Sequence, residues 1–395
     1  MKRSILALAS GAFVLGASEF VMMGILPFAA HDMHVTIPQA GWFITLYATG
    51  VCLGALILVF GRKLSPKTLI IFFMVLVLIG NAMAALAPNA AVLLIARFIS
   101  GLPHGAFFGT ATLAAKMLAD PGKEAQSVAL MVTGQTFANM VGVPAGTMLG
   151  EMISWRYAFA ILAAWGVMTM VLVAAWVPYL APVEDKGLAG QFKFLAKPGP
   201  WMILAAVLLG NTGIFCWWSY VSPWLTHIGG YQSAHVPWLM MLAGFGMVVG
   251  GLVGGKICDA WRHAGTAALG QAIATTGLIV IALTPGSRLL CAVLTLWLAF
   301  GMFFISSPQQ LLMAEAGKGG GELIGGASVQ IAFNAGNALG SALGGLALNA
   351  SGMNYHIPAL TGVPISALAV LSLLVFTLKY ETQTDAASRM REIHV

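Results

Sequence analysis

The sequence predicts an all-α membrane protein with twelve transmembrane helices arranged as two six-helix pseudo-repeats. Three observations predict this fold class: an apolar composition, a series of long apolar stretches, and basic residues concentrated in alternate loops. Of the 395 residues, 59% are hydrophobic and only 8% are charged, whereas a soluble domain has about 25% charged residues. The composition therefore excludes an ordinary soluble enzyme, a disordered chain and a nucleic-acid-binding protein, despite a net charge of +6.

Each apolar stretch is long enough to cross a bilayer, which needs about 20 residues per helix. Lys2 and Arg3 precede the first stretch as in a signal peptide, but its apolar run exceeds the usual length of about 7–15 residues. We therefore expect an uncleaved first helix. Predicted spans 1 to 6 are Ser4–Ala30, Gly41–Phe60, Thr68–Ala87, Ala91–Leu118, Ala125–Gly150 and Tyr157–Val177. Predicted spans 7 to 12 are Pro200–Thr226, Val236–Ile257, Thr266–Leu283, Arg288–Met313, Leu323–Asn349 and Ile357–Leu378.

The lysine and arginine residues indicate the orientation of these spans. With the N-terminus in the cytoplasm, the loops and ends on that side hold 16 of the 19 Lys and Arg residues. The opposite side holds only Arg156 and Arg288, and Arg97 lies within a span. Cytoplasmic loops carry an excess of lysine and arginine. We therefore expect an even number of spans with both termini in the cytoplasm.

The chain divides at its longest polar stretch. We predict an N-terminal six-helix bundle over residues 1–178, a cytoplasmic linker over 179–199, a C-terminal six-helix bundle over 200–379 and a cytoplasmic tail over 380–395. Gln135 and Asn139 in span 5 recur 195 residues later as Gln330 and Asn334 in span 11. Two repeats flanking a linker are typical of a secondary transporter whose binding site lies between the repeats.

Two charged residues lie deep within spans, Glu19 in span 1 and Arg97 in span 4. A charge near the bilayer centre costs about 2.5–3.5 kcal/mol on insertion scales, so such residues are commonly functional. The two residues could form a structural pair, or Glu19 could be a proton site that Arg97 tunes. Burial disfavours a charged carboxylate, whereas a nearby arginine favours it. His104 lies two turns after Arg97. It could relay protons, contact the substrate, or pack as a neutral histidine.

Amide and aromatic side chains supply the candidate substrate contacts. Amides within lipid need partners, so they face the bundle interior or a wet cavity, although aromatic residues at helical spacing more often pack. A cavity of amides and aromatics suits a neutral polar or amphipathic solute. The candidate substrate-binding residues are Gln135, Asn139, Asn211, Trp217, Trp218, Gln309, Gln330 and Asn334. No zinc spacing or phosphate-binding loop is present in the sequence, so we expect no metal and no cofactor.

Three segments resemble a known family: Glu19–Pro27 in span 1, Arg97–Gly109 in span 4, and Gly142–Gly146 in span 5. Through them the chain resembles the major facilitator superfamily along its whole length. Within that superfamily it is most similar to bacterial drug/proton antiporters and sugar-efflux proteins, especially AraJ-like transporters. The resemblance implies a monomer in the bacterial inner membrane, with a proton-coupling group of Glu19, Arg97 and His104. It also implies that Gly142, Pro144 and Gly146 form the close helix packing associated with antiporters.

A fourth segment departs from the family pattern. The gating motif after span 2 normally contains an Asp-Arg pair, but Leu58 and Val59 stand at those positions between Gly54 and Gly61. The second-half copy, Gly255–Asp259, keeps its aspartate. We therefore do not expect an ionic contact that holds the gate closed through an acidic residue at this position of the first half. The resemblance implies conformational roles for Gly54, Gly61, Arg62, Gly142, Pro144, Gly146 and Asp259.

The leading interpretation is a secondary transporter that exports a small solute, sugar-like or drug-like, by proton antiport and alternating access. Its partners would be the solute, protons and the lipid bilayer, and the proton gradient would supply the energy. Two alternatives remain open: proton-coupled uptake by symport, and a membrane sensor or scaffold that transports nothing.

Overall fold

A computed structural model describes residues 2–61, 63–121, 124–182, 193–283, 286–316 and 322–381. In the first half, α1 spans Lys2–Asp32, α2 Trp42–Gly61, α3 Pro66–Ala85 and α4 Ala90–Met117. α5 begins with Glu124–Phe137, continues through Ala138–Gly142 and Val143–Leu149, and ends with Gly150–Ser154. α6 spans Trp155–Trp176. These bounds agree with predicted spans 1 to 6 to within a few residues.

The second half contains six further long helices. α7 comprises Pro198–Trp218 and the short continuation Val221–His227. α8 spans Val236–Ala260, and α9 spans His263–Leu283. α10 comprises Arg288–Phe304 and Ser306–Ala316, and α11 spans Glu322–Ala350. α12 spans Ile357–Phe376 and is followed by a π-helical turn, Thr377–Glu381. The described residues contain helices and connecting segments and no β-strand.

Small polar residues at the N-terminal caps explain where several helices begin. The side chain of Ser65 accepts a hydrogen bond from the Thr68 amide at 3.2 Å, with Pro66 in the first helical position. Asn89 accepts from the Val92 amide at 3.0 Å in the same way. Such caps satisfy amides that a helix start leaves without a partner. The chain can therefore reverse direction within a few residues between apolar helices.

Ser154 separates α5 from α6, which otherwise read as one apolar stretch. Its backbone is extended and its hydroxyl accepts a hydrogen bond from the Arg156 amide. By length and apolar character, ten stretches among the described residues could cross a membrane. One of them, Ser127–Trp176, is 50 residues long and contains both α5 and α6. α2 has 20 residues, enough for a bilayer, so the long helices match the twelve predicted spans.

α5 is irregular near Gly142, Pro144 and Gly146, the residues expected to pack closely against another helix. Ala138–Gly142 and Gly150–Ser154 are π-helical, and Pro144 follows the first of these turns. Proline has no amide hydrogen and its ring clashes with the carbonyl group four residues earlier. A widened turn before Pro144 relieves that clash. The irregular turn includes Asn139, a buried residue.

The two halves contact each other along α2 with α11 and along α5 with α8. We define the proximal end of the bundle as the end where α1 begins, and the distal end as the end where α1 stops at Asp32. Ser341 donates a hydrogen bond to the carbonyl of Gly41 at 2.9 Å, and Thr45 donates to Ala338 at 3.3 Å. Both contacts lie toward the distal end. Gly244 of α8 packs on the backbone of Asn139, where a Cβ atom would have no space.

Parts of the predicted organisation lie outside the described residues. These are Arg62, residues 183–192 of the predicted linker and residues 382–395 of the predicted tail. Between α6 and α7, the described residues of the predicted linker include a short 3-10 helix, Lys193–Ala196.

Candidate functional site

Glu19 lies midway along α1, at the contact between the two halves. Its side chain is buried, with 3% of the residue exposed. Asn337 of α11 donates a hydrogen bond from Nδ2 to Oε1 of Glu19 at 3.2 Å. The other oxygen of Glu19, Oε2, lies 3.5 Å from Nε2 of His104. The carboxyl group therefore contacts one residue from each half, and each contact uses a different oxygen.

His104 is connected in turn to Tyr47 of α2. The Tyr47 hydroxyl lies 2.9 Å from Nδ1 of His104 and 3.3 Å from the carbonyl oxygen of Leu15. A neutral imidazole has one donor and one acceptor nitrogen, so the hydrogen on His104 can occupy either side. If Nε2 carries it, His104 donates to Glu19 and accepts from Tyr47. If Nδ1 carries it, a protonated Glu19 can donate to Nε2, while Tyr47 donates to Leu15.

Arg97 is buried beside this group but forms other contacts. Its Nη1 donates to the carbonyl oxygen of Ser18 at 2.8 Å, and its Nε donates to that of Phe43 at 3.2 Å. Its guanidinium lies over the rings of Tyr47 at 4.3 Å and Phe159 at 5.4 Å. In the described part of the chain, Arg97 forms no ion pair with Glu19. The direct pair weighed from the sequence is therefore not seen, and Arg97 instead joins α1, α2, α4 and α6.

A cavity between the halves begins at Glu19 and extends toward the proximal end. Apart from Glu19, its polar side chains are uncharged amides and a serine, and its apolar wall includes Phe20, Phe303 and Phe333. Four of the predicted substrate-binding residues line it: Gln135, Asn211, Gln309 and Gln330. The cavity therefore brings together residues from α1, α5, α7, α10 and α11.

A smaller pocket lies on the distal side of Phe20, against α8. Asn139 and Trp218 line it together with Phe20, Met240 and Met247. Both polar atoms of the Asn139 amide are buried without a hydrogen-bond partner, as is the indole nitrogen of Trp218. A buried polar group without a partner is costly, at about 1–3 kcal/mol. The Phe20 ring, 6.4 Å from those of Phe215 and Phe303, separates this pocket from the larger cavity.

The remaining two predicted substrate contacts are not among the residues lining these two cavities. Trp217 is buried and packs against Trp224, with ring centroids 5.0 Å apart. Asn334 donates to the carbonyl oxygen of Gln330 at 3.1 Å, one turn earlier in α11, while its own Oδ1 is buried without a partner. Their roles in substrate binding stay predictions.

The predicted conformational residues fall into three places. Gly142, Pro144 and Gly146 lie in α5, where Gly142 packs on Phe13 and Gly146 on Val21 of α1. In α2, Gly54 lies against the backbone of Leu102, and Gly61 packs on Leu69. Asp259 lies near the proximal end of α8 and is exposed. Arg62 lies outside the described residues.

Comparisons with known proteins now assign the family. The family model described as Major Facilitator Superfamily matches residues 8–328. The chain belongs to the major facilitator superfamily. It is 39% identical over 387 residues to a protein named "Putative transporter AraJ" from Escherichia coli (strain K12), covering 98% of each chain. It is 34% identical over 375 residues to "Inner membrane transport protein YdhP" of the same strain, covering 94% of this chain and 95% of that one.

A solved structure has the same fold. It is a bacterial homologue of the human lysosomal transporter Spinster, in an inward-facing and unoccupied conformation. The TM-score is 0.70 at 16% identity, and the match covers 94% of each chain. The family resemblance, the all-α membrane fold and the expectation of a non-enzymatic secondary transporter are thereby confirmed. Among the described residues, no group of three or more His, Cys, Asp or Glu side chains could hold a metal ion.

Several residues of the site are not among the candidates predicted from the sequence, and three of them have distinct positions. Tyr47 contacts His104, Asn337 contacts Glu19, and Phe20 divides the two cavities. A tyrosine hydroxyl in an apolar span needs a hydrogen-bond partner, which was an available signal for Tyr47. Asn337 shares the intramembrane amide signal with Asn334, but spacing alone did not distinguish the two. No pattern in the sequence distinguishes Phe20 from the many packing phenylalanines.

Proposed function

We propose that this superfamily member exports a small neutral or amphipathic solute from the bacterial cytoplasm in exchange for protons. The observation on which the proposal depends is the placement of Glu19, an acidic side chain buried in the first half that also lines the cavity between the halves. Proton and solute would then compete for the same carrier. Alternating access would expose Glu19 to each side of the inner membrane in turn.

The lining of the cavity supports a solute without net charge. Its walls combine amide groups that donate and accept hydrogen bonds with phenyl rings that pack on apolar surface. A cation would be attracted by ionised Glu19, but the other described polar groups that line the cavity are uncharged. Sugar-like hydroxyl groups and the apolar faces of amphipathic molecules both suit such walls.

The charge distribution of the loops supports cytoplasmic termini. With that orientation the proximal end would face the cytoplasm. An exported solute would then enter the cavity, which extends from Glu19 toward the proximal end, from the cytoplasm. The contacts of Ser341 with Gly41 and of Thr45 with Ala338 would then close the periplasmic side.

A flux assay in proteoliposomes tests the proposal. Purified protein is first screened by thermal shift against sugars, nucleosides and amphipathic drugs, and each ligand found is then loaded into vesicles containing a pH-sensitive dye. Antiport predicts solute movement in one direction coupled to proton movement in the other. Movement of both in the same direction would indicate symport, and ligand binding without flux would indicate a sensor.

A further inference from the structure

We propose that Asn337 is a coupling residue, which binds ionised Glu19 across the contact between the halves and so prevents the carrier from reorienting when it holds neither proton nor solute. The inference rests on the proposed antiport function and adds a role for a residue in the second half. It concerns reorientation of the empty carrier, which an antiporter must suppress in order to exchange solute for protons.

The bond between Glu19 and Asn337 crosses the surface along which the two halves must move. Glu19 belongs to α1 and Asn337 to α11, and the atoms Nδ2 and Oε1 are 3.2 Å apart. Both residues are buried, at 3% and 1% exposed. Contacts of Glu19 with His104 and of Arg97 with Ser18 stay within the first half. Only a bond that crosses between the halves is broken when one half rotates against the other.

The strength of this bond depends on the charge of Glu19. A hydrogen bond from an amide to an ionised carboxylate is roughly twice as strong as one to a neutral acceptor, and low polarity around it increases the difference. His104 from α4 and Asn337 from α11 contact the carboxyl directly. Behind them, Tyr47 from α2 contacts His104, and Arg97 from α4 contacts the carbonyl oxygen of Ser18, the residue before Glu19. Arg97 is the cation among these groups, and its positive charge favours the ionised carboxylate.

Because the two oxygens of Glu19 have different partners, a proton can bind at one oxygen and weaken the hydrogen bond at the other. A proton on Oε2 faces Nε2 of His104, within the first half. Oε1 then becomes a neutral acceptor, and the bond from Asn337 weakens. Protonation would therefore loosen the contact between the halves while keeping the proton inside the first half. Solute in the cavity that Glu19 lines could have the same effect by donating to the carboxylate in place of Asn337.

This behaviour matters because an antiporter leaks protons if its empty, deprotonated form reorients. Such a carrier would take a proton outside, release it inside and return empty, without moving solute. A bond that forms only with ionised Glu19 opposes that return step. Loss of the Asn337 amide should therefore allow proton entry in the absence of any solute.

The test measures proton leak into proteoliposomes that contain no solute. Vesicles hold the pH-sensitive dye pyranine, and a potassium gradient with valinomycin makes their interior negative. We expect Asn337→Ala to increase the rate of acidification at least threefold over the wild-type protein. Asn337→Leu, which keeps the branched arrangement of side-chain heavy atoms and removes the amide, should behave alike and replaces the first variant if that one fails to fold. The double variant Glu19→Gln with Asn337→Ala should return to the wild-type rate.

Ser328→Ala is the matched control. It lies in α11 and removes a side-chain hydrogen bond that stays within that helix, to the carbonyl oxygen of Gly325. Equal leak through Ser328→Ala, persistent leak in the double variant, or no leak through Asn337→Ala and Asn337→Leu would each overturn the proposal. The proposed antiport fails separately, if the wild-type protein exchanges no solute for protons.

Discussion

The hydroxyl group of Tyr47 lies 2.9 Å from Nδ1 of His104, and the opposite ring nitrogen of His104 faces Glu19. A change in the protonation of Glu19 at one side of the imidazole therefore favours the opposite tautomer, which changes the partner of Tyr47 at the other side. The arrangement connects the carboxyl group in α1 to α2 through α4. Tyr47 thus becomes a positioning residue for the proposed proton site.

We predict that Tyr47→Phe keeps the fold but impairs proton-coupled transport. The variant retains the ring beneath Arg97 and removes the hydroxyl that bonds His104. A lost hydrogen bond of this kind is worth about 0.5–1.5 kcal/mol, so uphill transport should fall by about twofold to thirteenfold. Its pH optimum should also shift, which a purely structural role would not produce. The measurement is flux against pH, with the exposed Tyr157→Phe as control. An unchanged pH profile would exclude this role.

We predict that Glu19→Gln remains folded and binds solute but loses proton-driven transport. The amide has nearly the same shape as the carboxyl group and cannot titrate between pH 5 and 8. In the wild-type protein, solute binding should weaken as pH falls, because proton and solute compete for Glu19. In Glu19→Gln that dependence should disappear. Binding by thermal shift at several pH values and gradient-driven flux measure the two effects.

The matched control for this change is Glu151→Gln, at the distal end of α5, which should leave both measurements unaltered. Full gradient-driven flux through Glu19→Gln would remove Glu19 from the mechanism. The proton site would then have to be sought at His104.

Arg97 has a role in stability as well as in the field around Glu19. Its guanidinium donates to two carbonyl oxygens on different helices and lies over two aromatic rings. We predict that Arg97→Ala destabilises the protein by about 2–4 kcal/mol, because hydrogen bonds from charged donors are stronger than neutral ones. Arg97→Lys should be intermediate, since it keeps the charge but loses the planar fork.

Thermal unfolding in detergent measures this effect, with the exposed Arg288→Ala as control. Among variants that remain folded, solute exchange down its own gradient should survive better than uphill export. If folded Arg97→Ala binds no solute at any pH, Arg97 contacts the solute directly and the tuning hypothesis is wrong.

The sequence was sufficient for the spans and for the unusual residues within them, because hydropathy and cost of burial are properties of single segments. It could not decide which side chains meet. Arg97 and His104 share a face of α4, but seven residues at about 1.5 Å each place them roughly 10 Å apart along the axis. In the structure His104 contacts the carboxylate of Glu19, whereas Arg97 donates to the carbonyl oxygens of Ser18 and Phe43. The sequence could not show this difference, because the rotation of α4 against α1 depends on packing that sequence spacing does not specify.

The contact between Glu19 and Asn337 could not be predicted from the sequence for a related reason. The two residues are 318 positions apart in the chain and belong to different halves. Asn334 and Asn337 carry the same side chain three positions apart, about 60° apart around the helix axis. A modest rotation of α11 would therefore change which of them faces Glu19. A single sequence identifies such amides as buried but not their partners.

We predict that the distal end of the bundle faces the periplasm. The distribution of Lys and Arg residues between alternate loops is the basis for this orientation. Single cysteines replacing His34, after α1, and Tyr179, after α6, would both be exposed. On a background without Cys52, Cys216, Cys258 and Cys291, an impermeant thiol reagent applied to intact cells should label only the cysteine at position 34. Equal labelling of both positions from outside would contradict the orientation.

The last prediction concerns the close packing of α5 on α1. Gly146 faces Val21, two residues after Glu19, and a Cβ atom at Gly146 would collide with the side chain of Val21. Valine at this position must therefore displace α1 or α5, and overpacking of this kind costs about 1–3 kcal/mol. We expect Gly146→Val to lower the thermal unfolding midpoint and to reduce flux at least tenfold, because displacement of α1 moves Glu19 away from His104 and Asn337. Ala145→Val introduces the same side chain at the adjacent, exposed position and should change neither quantity. If the two variants have the same unfolding midpoint and flux, the close approach at Gly146 does not support the site, and the antiporter signature in α5 has no conformational role in this protein.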